Sequence, residues 1–161
     1  MPDGAAYRVS SPPSHALVTP ALACELGRVL DRFATDAGFS ARLPVLVGFA
    51  PGIVGHHRAG RAADIYDVGG AALDRWKARW DDARRRAARA RGAARAAIVT
   101  SERRTNLGWR LYMALKTYGR WSQPYGYPIQ LFGPWTRSEG PWKHISDGLL
   151  RAHHDHIHVA K

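Results

Sequence analysis

The stretch GHHRAGRAADIYDV, residues 55–68, carries the strongest indication of how this chain folds. Its second half, Ala62–Val68, is mostly apolar and predicts a strand that Gly69 ends. Its first half is a histidine-bearing loop, in which Gly60 supplies the backbone freedom for a turn. A loop histidine is therefore expected to fold back over the strand and meet Asp64.

The segments on either side predict alternating helices and strands. A helix is expected from Thr19, as N-cap, to residue 37, with Gly38 as its stop, and a buried strand over 43–49. Residues 71–97 predict an Ala/Arg-rich helix weakened at Gly92, followed by a β-prone stretch at 98–100. A helix over 106–118 and strands over 129–132 and 156–160 complete the order. We expect one α+β domain over 19–161, after an irregular lead-in at 1–18.

Histidine is concentrated at the end of the chain. Four of the eight histidines lie in the last nine residues. In a strand, His154, His156 and His158 would share one face, while Ile157 and Val159 would face the core. Two tight histidine clusters, each with an aspartate, are typical of a metal site. A domain of this length needs no structural metal to fold, and its single cysteine, Cys24, predicts no intrachain disulfide.

Together the two clusters resemble the zinc peptidases of the LAS type. The shared pattern is His57-x-x-Gly60-x-Ala62-x-Asp64, with His156-x-His158 about 90 residues later. The group includes D-Ala-D-Ala carboxypeptidases and dipeptidases, murein endopeptidases and phage endolysins, and its fold is shared by the Hedgehog signalling domain. The resemblance implies a small antiparallel sheet that carries the zinc site and is flanked by helices, so that 19–161 would be a zinc peptidase domain.

The resemblance also implies a metal centre. His57, Asp64 and His158 would hold one Zn²⁺ per chain, with a fourth position open for water, as hydrolytic zinc requires. His156 matches the family histidine that stabilises the transition state.

The general base is either Asp155, three residues before the last ligand, or His153, five residues before it. We prefer Asp155, which requires the last strand to begin at or after His156, because a strand would put Asp155 on the face opposite His158. The chain departs from the family in having Gly55 where many members have serine, and Asp155 where the base is usually glutamate.

The expected activity is hydrolysis of an amide bond in a peptidoglycan stem peptide or cross-link, by an endopeptidase or a carboxypeptidase. Trp135 and Trp142 lie on Pro/Gly-rich segments and would either wall a substrate groove or anchor the loops by packing. Arg61 and Arg137 could meet a substrate carboxylate.

The expected partner is peptidoglycan in the bacterial cell wall. The first residues show no basic stretch followed by an apolar run, so we expect no signal peptide, and no apolar run is long enough for membrane insertion. The protein would be made in the cytoplasm and reach the periplasm as an endolysin released by a holin. Alternatively, a secretion system would deliver it as an antibacterial effector, with a delivery or immunity partner.

The charge distribution supports a rival hypothesis. The formal net charge is +11, and residues 74–104 hold 11 Lys/Arg against four Asp/Glu. Such a segment could bind nucleic acid, and a His/Asp metal site could serve a nuclease. It could equally keep a hydrolase on the polyanionic wall. A zinc-binding module without catalysis is the third alternative.

Overall fold

The computed structural model describes residues 8–9, 19–38, 45–48, 55–121, 130–139 and 145–161. The helices among them are α1 (Pro20–Asp36), α2 (Gly55–Arg58), α3 (Leu73–Arg89), α4 (Gly92–Thr105), α5 (Leu107–Tyr118), α6 (Thr136–Glu139) and α7 (Asp147–Ala152). The strands are β1 (Arg8–Val9), β2 (Val45–Gly48), β3 (Ala62–Val68), β4 (Ala71–Ala72), β5 (Leu131–Phe132) and β6 (Ile157–Ala160).

The strands form one sheet in the order β1-β2-β3-β6-β5, and β4 pairs with β3. The pairs β2–β3, β3–β6 and β6–β5 are all antiparallel, as expected. The edge pair β1–β2 is parallel, which the sequence did not predict, and β1 lies in the segment expected to be irregular. With helices packed around this sheet, the α+β class is confirmed.

The two faces of the sheet have different roles because side chains alternate along each strand. Ile65, Leu131, Ile157 and Val159 are fully buried in the main core. That core also contains the buried faces of α1, α3 and α5, which include Leu22, Leu26, Phe33, Leu73, Trp80, Leu111 and Leu115. Phe132 belongs to a second cluster with Ile145, Leu149 and Leu150, and this cluster packs α7 beside β5. The site described below lies on the Phe132 side.

Helix α1 begins and ends where the sequence predicts. Thr19 is the N-cap with Pro20 in the first turn, and Gly38 follows with a positive φ of 76°. Only glycine adopts that backbone conformation without a steric cost, which explains why the helix stops there.

The basic segment follows the prediction in part. Ala71 and Ala72 form β4 instead of helix, but the break between α3 and α4 at residues 90–91 lies immediately before Gly92, which has a φ of 53° and is the predicted weak point. The β-prone stretch at 98–100 lies inside helix α4, so its β-propensity does not decide its conformation. β-branched residues disfavour a helix only slightly, and in α4 they extend an alanine-rich helix that packs against α3.

Asn106 joins three helices. Its side-chain oxygen accepts a hydrogen bond from Trp109 N and so caps α5. Its amide group donates to Trp76 O of α3 at 2.8 Å and to Glu102 Oε1 of α4 at 2.7 Å. Asn106 is fully buried, and Glu102 also accepts from Arg79 Nε. One amide side chain therefore fixes how these helices meet.

Two smaller differences bear on the site. The loop expected around residues 51–60 contains the short helix α2, and the last strand begins at Ile157 rather than at His156. None of the helices in the described part of the chain is long and apolar enough to cross a membrane.

We predict that Asn106→Ala lowers the free energy of unfolding by about 2–4 kcal/mol, because it removes a helix cap and leaves buried partners without hydrogen bonds. Chemical denaturation of the mutant and the wild type measures this loss. Thr100→Ala on the exposed surface of α4 is the control and should stay within about 0.5 kcal/mol of wild type. An equal effect of the two substitutions would contradict the role given to Asn106.

Candidate metal centre

Strands β3 and β6 bring Asp64 and His158 together. The two residues are directly opposite each other in the antiparallel register. Side chains of such a pair project on the same face of the sheet. Asp64 Oδ1 lies 2.9 Å from His158 Nδ1, and both residues are buried.

His57 approaches the same point from α2. After this helix the chain turns sharply: Gly60 N donates to His57 O, and Gly60 has a positive φ of 66°. Thr19 N donates to Gly60 O, which ties the turn to the start of α1. The turn directs His57 over β3, and its Nε2 lies 3.4 Å from Asp64 Oδ1 and 3.1 Å from His158 Nδ1.

The three donor atoms form a compact group that could hold a metal ion. His57 Nε2, Asp64 Oδ1 and His158 Nδ1 are separated by 2.9–3.4 Å. Hydrogen bonds explain the two contacts with Asp64 Oδ1, but if both rings donate to that oxygen, two N–H groups face each other across the 3.1 Å between His57 Nε2 and His158 Nδ1. A single cation would accept a lone pair from each donor.

The surroundings keep Asp64 ionised. Burial works against the charged carboxylate, but hydrogen bonds from His158 and His57 outweigh it, so the pKa of Asp64 lies well below its ordinary value. A deprotonated carboxylate is the form that binds a metal.

Tyr66 holds the other oxygen of Asp64, a contact that sequence reasoning missed. Its hydroxyl lies 3.4 Å from Asp64 Oδ2, and its ring contacts that of His156. Burial, with the Asp64 carboxylate as the next cause, raises the pKa of Tyr66 to about 12. The β2–β3 register skips Tyr66, and such a bulge bends the strand. The sequence did offer one signal for this contact, because residues two apart in a regular strand lie on the same face. The bulge at Tyr66 is not visible in a sequence.

His156 and Asp155 form a dyad beside the three donors. His156 Nδ1 is 2.8 Å from Asp155 Oδ1, and its Nε2 is 3.9 Å from Asp64 Oδ1. The hydrogen bond from His156 is the main cause that lowers the pKa of Asp155. Asp155 is half exposed at its side chain and contacts the outer nitrogen of His156, while the inner nitrogen points to the site.

His153 lies on the other side of His156. Its Nδ1–H donates to Leu149 O at 2.8 Å, which leaves Nε2 with a lone pair. Burial is the main cause that lowers the pKa of His153, and so favours the neutral ring. The ring packs against those of His156, His158 and Phe132.

Phe132 is a second residue that sequence reasoning missed. It pairs with His158 across β5 and β6, and its ring stacks on that of His158 at a centroid distance of 5.9 Å. The phenyl ring thus supports both His153 and His158 from the apolar side of the site.

Comparison with family models, curated proteins and solved structures gave no match.

The other polar residues of the two motifs are not part of the three-donor group. His154 does not share a face with His156 and His158, because residues 153–156 form a bend before β6 begins, and its side chain is 73% exposed. His56 is half-buried, and burial followed by the charge of Arg61 lowers its pKa. Arg61 donates from Nε to the carbonyl of Lys161.

The aromatic residues expected to wall a groove are only partly described. Trp135 is fully buried and packs against Tyr112 in the core, so the packing interpretation is correct and the groove-wall prediction is wrong for it. Trp142 lies outside the described residues. Arg137 forms an ion pair with Asp147 that links α6 to α7.

We predict that the protein binds one divalent metal ion through Asp64. Asp64→Asn keeps the size of the side chain but removes the charge, so it should abolish stoichiometric binding and the rise in melting temperature on adding zinc. At a free metal concentration of 100 times Kd, that rise corresponds to about 2.7 kcal/mol.

The control for this prediction is Asp67→Asn, on the same strand. Asp67 Oδ1 accepts from Gly70 N, which an asparagine oxygen can also do. Calorimetric titration and thermal melts should show wild-type zinc binding for Asp67→Asn. Equal zinc binding by both variants would exclude the site.

Proposed function

We propose that this protein is a zinc-dependent peptidase that hydrolyses an amide bond in peptidoglycan. The observation that carries the proposal is the convergence of His57 Nε2, Asp64 Oδ1 and His158 Nδ1 beside two further histidines. The resemblance of the two motifs to LAS-type peptidases supports the choice of substrate.

The donor set fits zinc. Zinc bound at about 2.0–2.1 Å by tetrahedral N and O ligands requires neighbouring donors about 3.3 Å apart. The observed separations of 2.9, 3.1 and 3.4 Å are close to this value. Two imidazoles and one carboxylate are a common ligand set of hydrolytic zinc enzymes, in which the fourth position is left for water. When bound, zinc lowers the pKa of that water and polarises the carbonyl oxygen of the amide.

His153 is the general base in this proposal, and not Asp155, which the sequence favoured slightly. The hydrogen bond to Leu149 O fixes the tautomer of the neutral ring with a lone pair on Nε2, and burial favours the neutral ring by lowering its pKa. A neutral imidazole next to the site can accept a proton from the attacking water and return it to the leaving amine.

Asp155 is a positioning residue for His156. The strand does begin after His156, as the preference for Asp155 required, but the Asp155 carboxylate is engaged by the outer nitrogen of His156. That contact fixes the ring so that Nε2 faces Asp64. As an imidazolium paired with the Asp155 carboxylate, His156 would also carry a proton on Nε2 and could donate it to the negative charge that develops on the carbonyl oxygen during attack.

Release of amino groups from purified sacculi tests the proposed function. Zinc-loaded protein should release them, and a chelator should stop the release until zinc is restored. Mass spectrometry of the soluble fragments identifies the bond that is cut. Duplex DNA cleavage without amine release would instead support a nuclease, and zinc binding without either activity would support a binding module.

We predict that His153→Gln lowers kcat by about 10²–10⁴-fold while zinc content stays at one ion per chain, because the proton acceptor is lost. The control is His154→Gln, the same change at the neighbouring exposed histidine, which should stay within about twofold of wild type. Wild-type turnover by His153→Gln would contradict the assignment and return the base to Asp155.

We predict a smaller effect for Asp155→Asn. An amide at this position weakens the contact that orients His156, so kcat should fall by about 10–100-fold with KM and zinc content unchanged. Steady-state kinetics on a soluble muropeptide gives the two parameters separately. A loss as large as that of His153→Gln would mean that Asp155 itself transfers the proton.

A further inference from the structure

A basic surface of the described chain lies on helices α3 and α4, which contribute no residue to the candidate metal centre. Helices α3 and α4 form a hairpin, and between Asp82 and Glu102 the sequence holds six arginines and no acidic residue. Three of these arginines lie at the turn of the hairpin: Arg89 ends α3, Arg91 is the N-cap of α4, and Arg95 lies one turn later. We call these three residues the hairpin tip.

The tip arginines are exposed and carry uncompensated charge. The four acidic residues of the hairpin are engaged elsewhere: Asp81 pairs with Lys77, Asp82 with Arg85 and Arg86, and Glu102 with Arg79, while Asp74, in the first turn of α3, accepts from Arg75 N. Among the described residues, no ion pair involves the tip, and all three of its side chains are exposed. Like charges held this close together repel one another, which an external anion would relieve.

The tip lacks the features that most other partners require. Residues 81–108 contain no aromatic side chain, so the hairpin offers no platform for stacking bases of single-stranded nucleic acid. The same absence removes the anchors of a membrane-surface helix and the aromatic residues that dominate protein interfaces. What remains is a hydrated polyanion held through charge.

The position of the tip favours a polymer over a small anion. Leu73, at the start of α3, is fully buried in the core against the sheet. At about 1.5 Å per residue, Arg89 lies about 24 Å further along the helix axis. Helix α3 contacts β3 and β4, so the tip lies at the end of the helix remote from its buried start, and a ligand that reaches both the sheet and the tip must be extended.

We propose that the hairpin tip binds the carboxylate-bearing peptidoglycan polymer and keeps the protein on the wall while the metal centre acts on it. This inference rests on the proposed function for the identity of the polymer. The tip supplies affinity for the insoluble substrate and takes no part in the reaction, so its effect should be absent on a small soluble substrate.

Co-sedimentation with purified sacculi tests the proposal. The triple variant R89Q/R91Q/R95Q is compared with R75Q/R104Q/R120Q, in which the same charge is removed from three exposed arginines outside the tip. Both sets are made in the Asp64→Asn background, so that binding is measured without hydrolysis. Gln is a good helix former, so melting temperatures should match that of the parent and verify folding.

The tip variant should bind sacculi about tenfold or more weakly than the parent, with a smaller dependence on salt, and the control variant should stay within about twofold. With Asp64 intact, both triple variants should turn over a soluble muropeptide at the wild-type rate. Equal weakening by the two sets, or no weakening by the tip set, would overturn the proposal.

Two other outcomes separate the possibilities. If the tip set abolishes binding to duplex DNA but leaves sacculus binding intact, the partner is nucleic acid and the proposal is wrong. If the tip set weakens sacculus binding but the wild type releases no chelator-sensitive amine, the proposed reaction fails while wall binding by the tip stands.

Discussion

The contact between Asp64 and His158 across β3 and β6 is the interaction on which the site depends. The antiparallel register sets these two residues opposite each other, and their buried side chains meet at 2.9 Å on the Phe132 side of the sheet. Placing a carboxylate and an imidazole there is costly unless a proton or a cation joins them. Because the backbone pairing fixes the separation of Asp64 and His158, a metal site needs only His57 to approach this pair.

The rest of the constellation is arranged around that pair by local backbone features. The turn at Gly60 brings His57 over the strand, and the bulge at Tyr66 places a hydroxyl on the far oxygen of Asp64. Phe132 packs against His158 from β5. Each support acts on a donor and lies on a different element, so the donors are held by the fold as a whole and are preorganised for binding.

The sequence predicted those parts of the structure that local patterns determine. Helix α1, strand β3 and the three donors were predicted because a cap, an apolar run and clustered histidines are all visible within a few residues. The helical state of residues 98–100 was not, since β-branched residues take the conformation of the helix that packs them. The roles proposed for His153 and Asp155 depend on which atoms face Leu149 O and His156 Nδ1. The role of Trp135 depends on its burial in the core. No spacing rule contains that information.

Zinc K-edge X-ray absorption of protein loaded with one equivalent of zinc tests the central claim most directly. A four-coordinate shell of N and O donors at about 2.0–2.1 Å, with the multiple scattering of two imidazoles, is the predicted result. The Asp64→Asn variant should lose it. A sulfur ligand from the exposed Cys24, or an imidazole count other than two, would contradict the proposed centre.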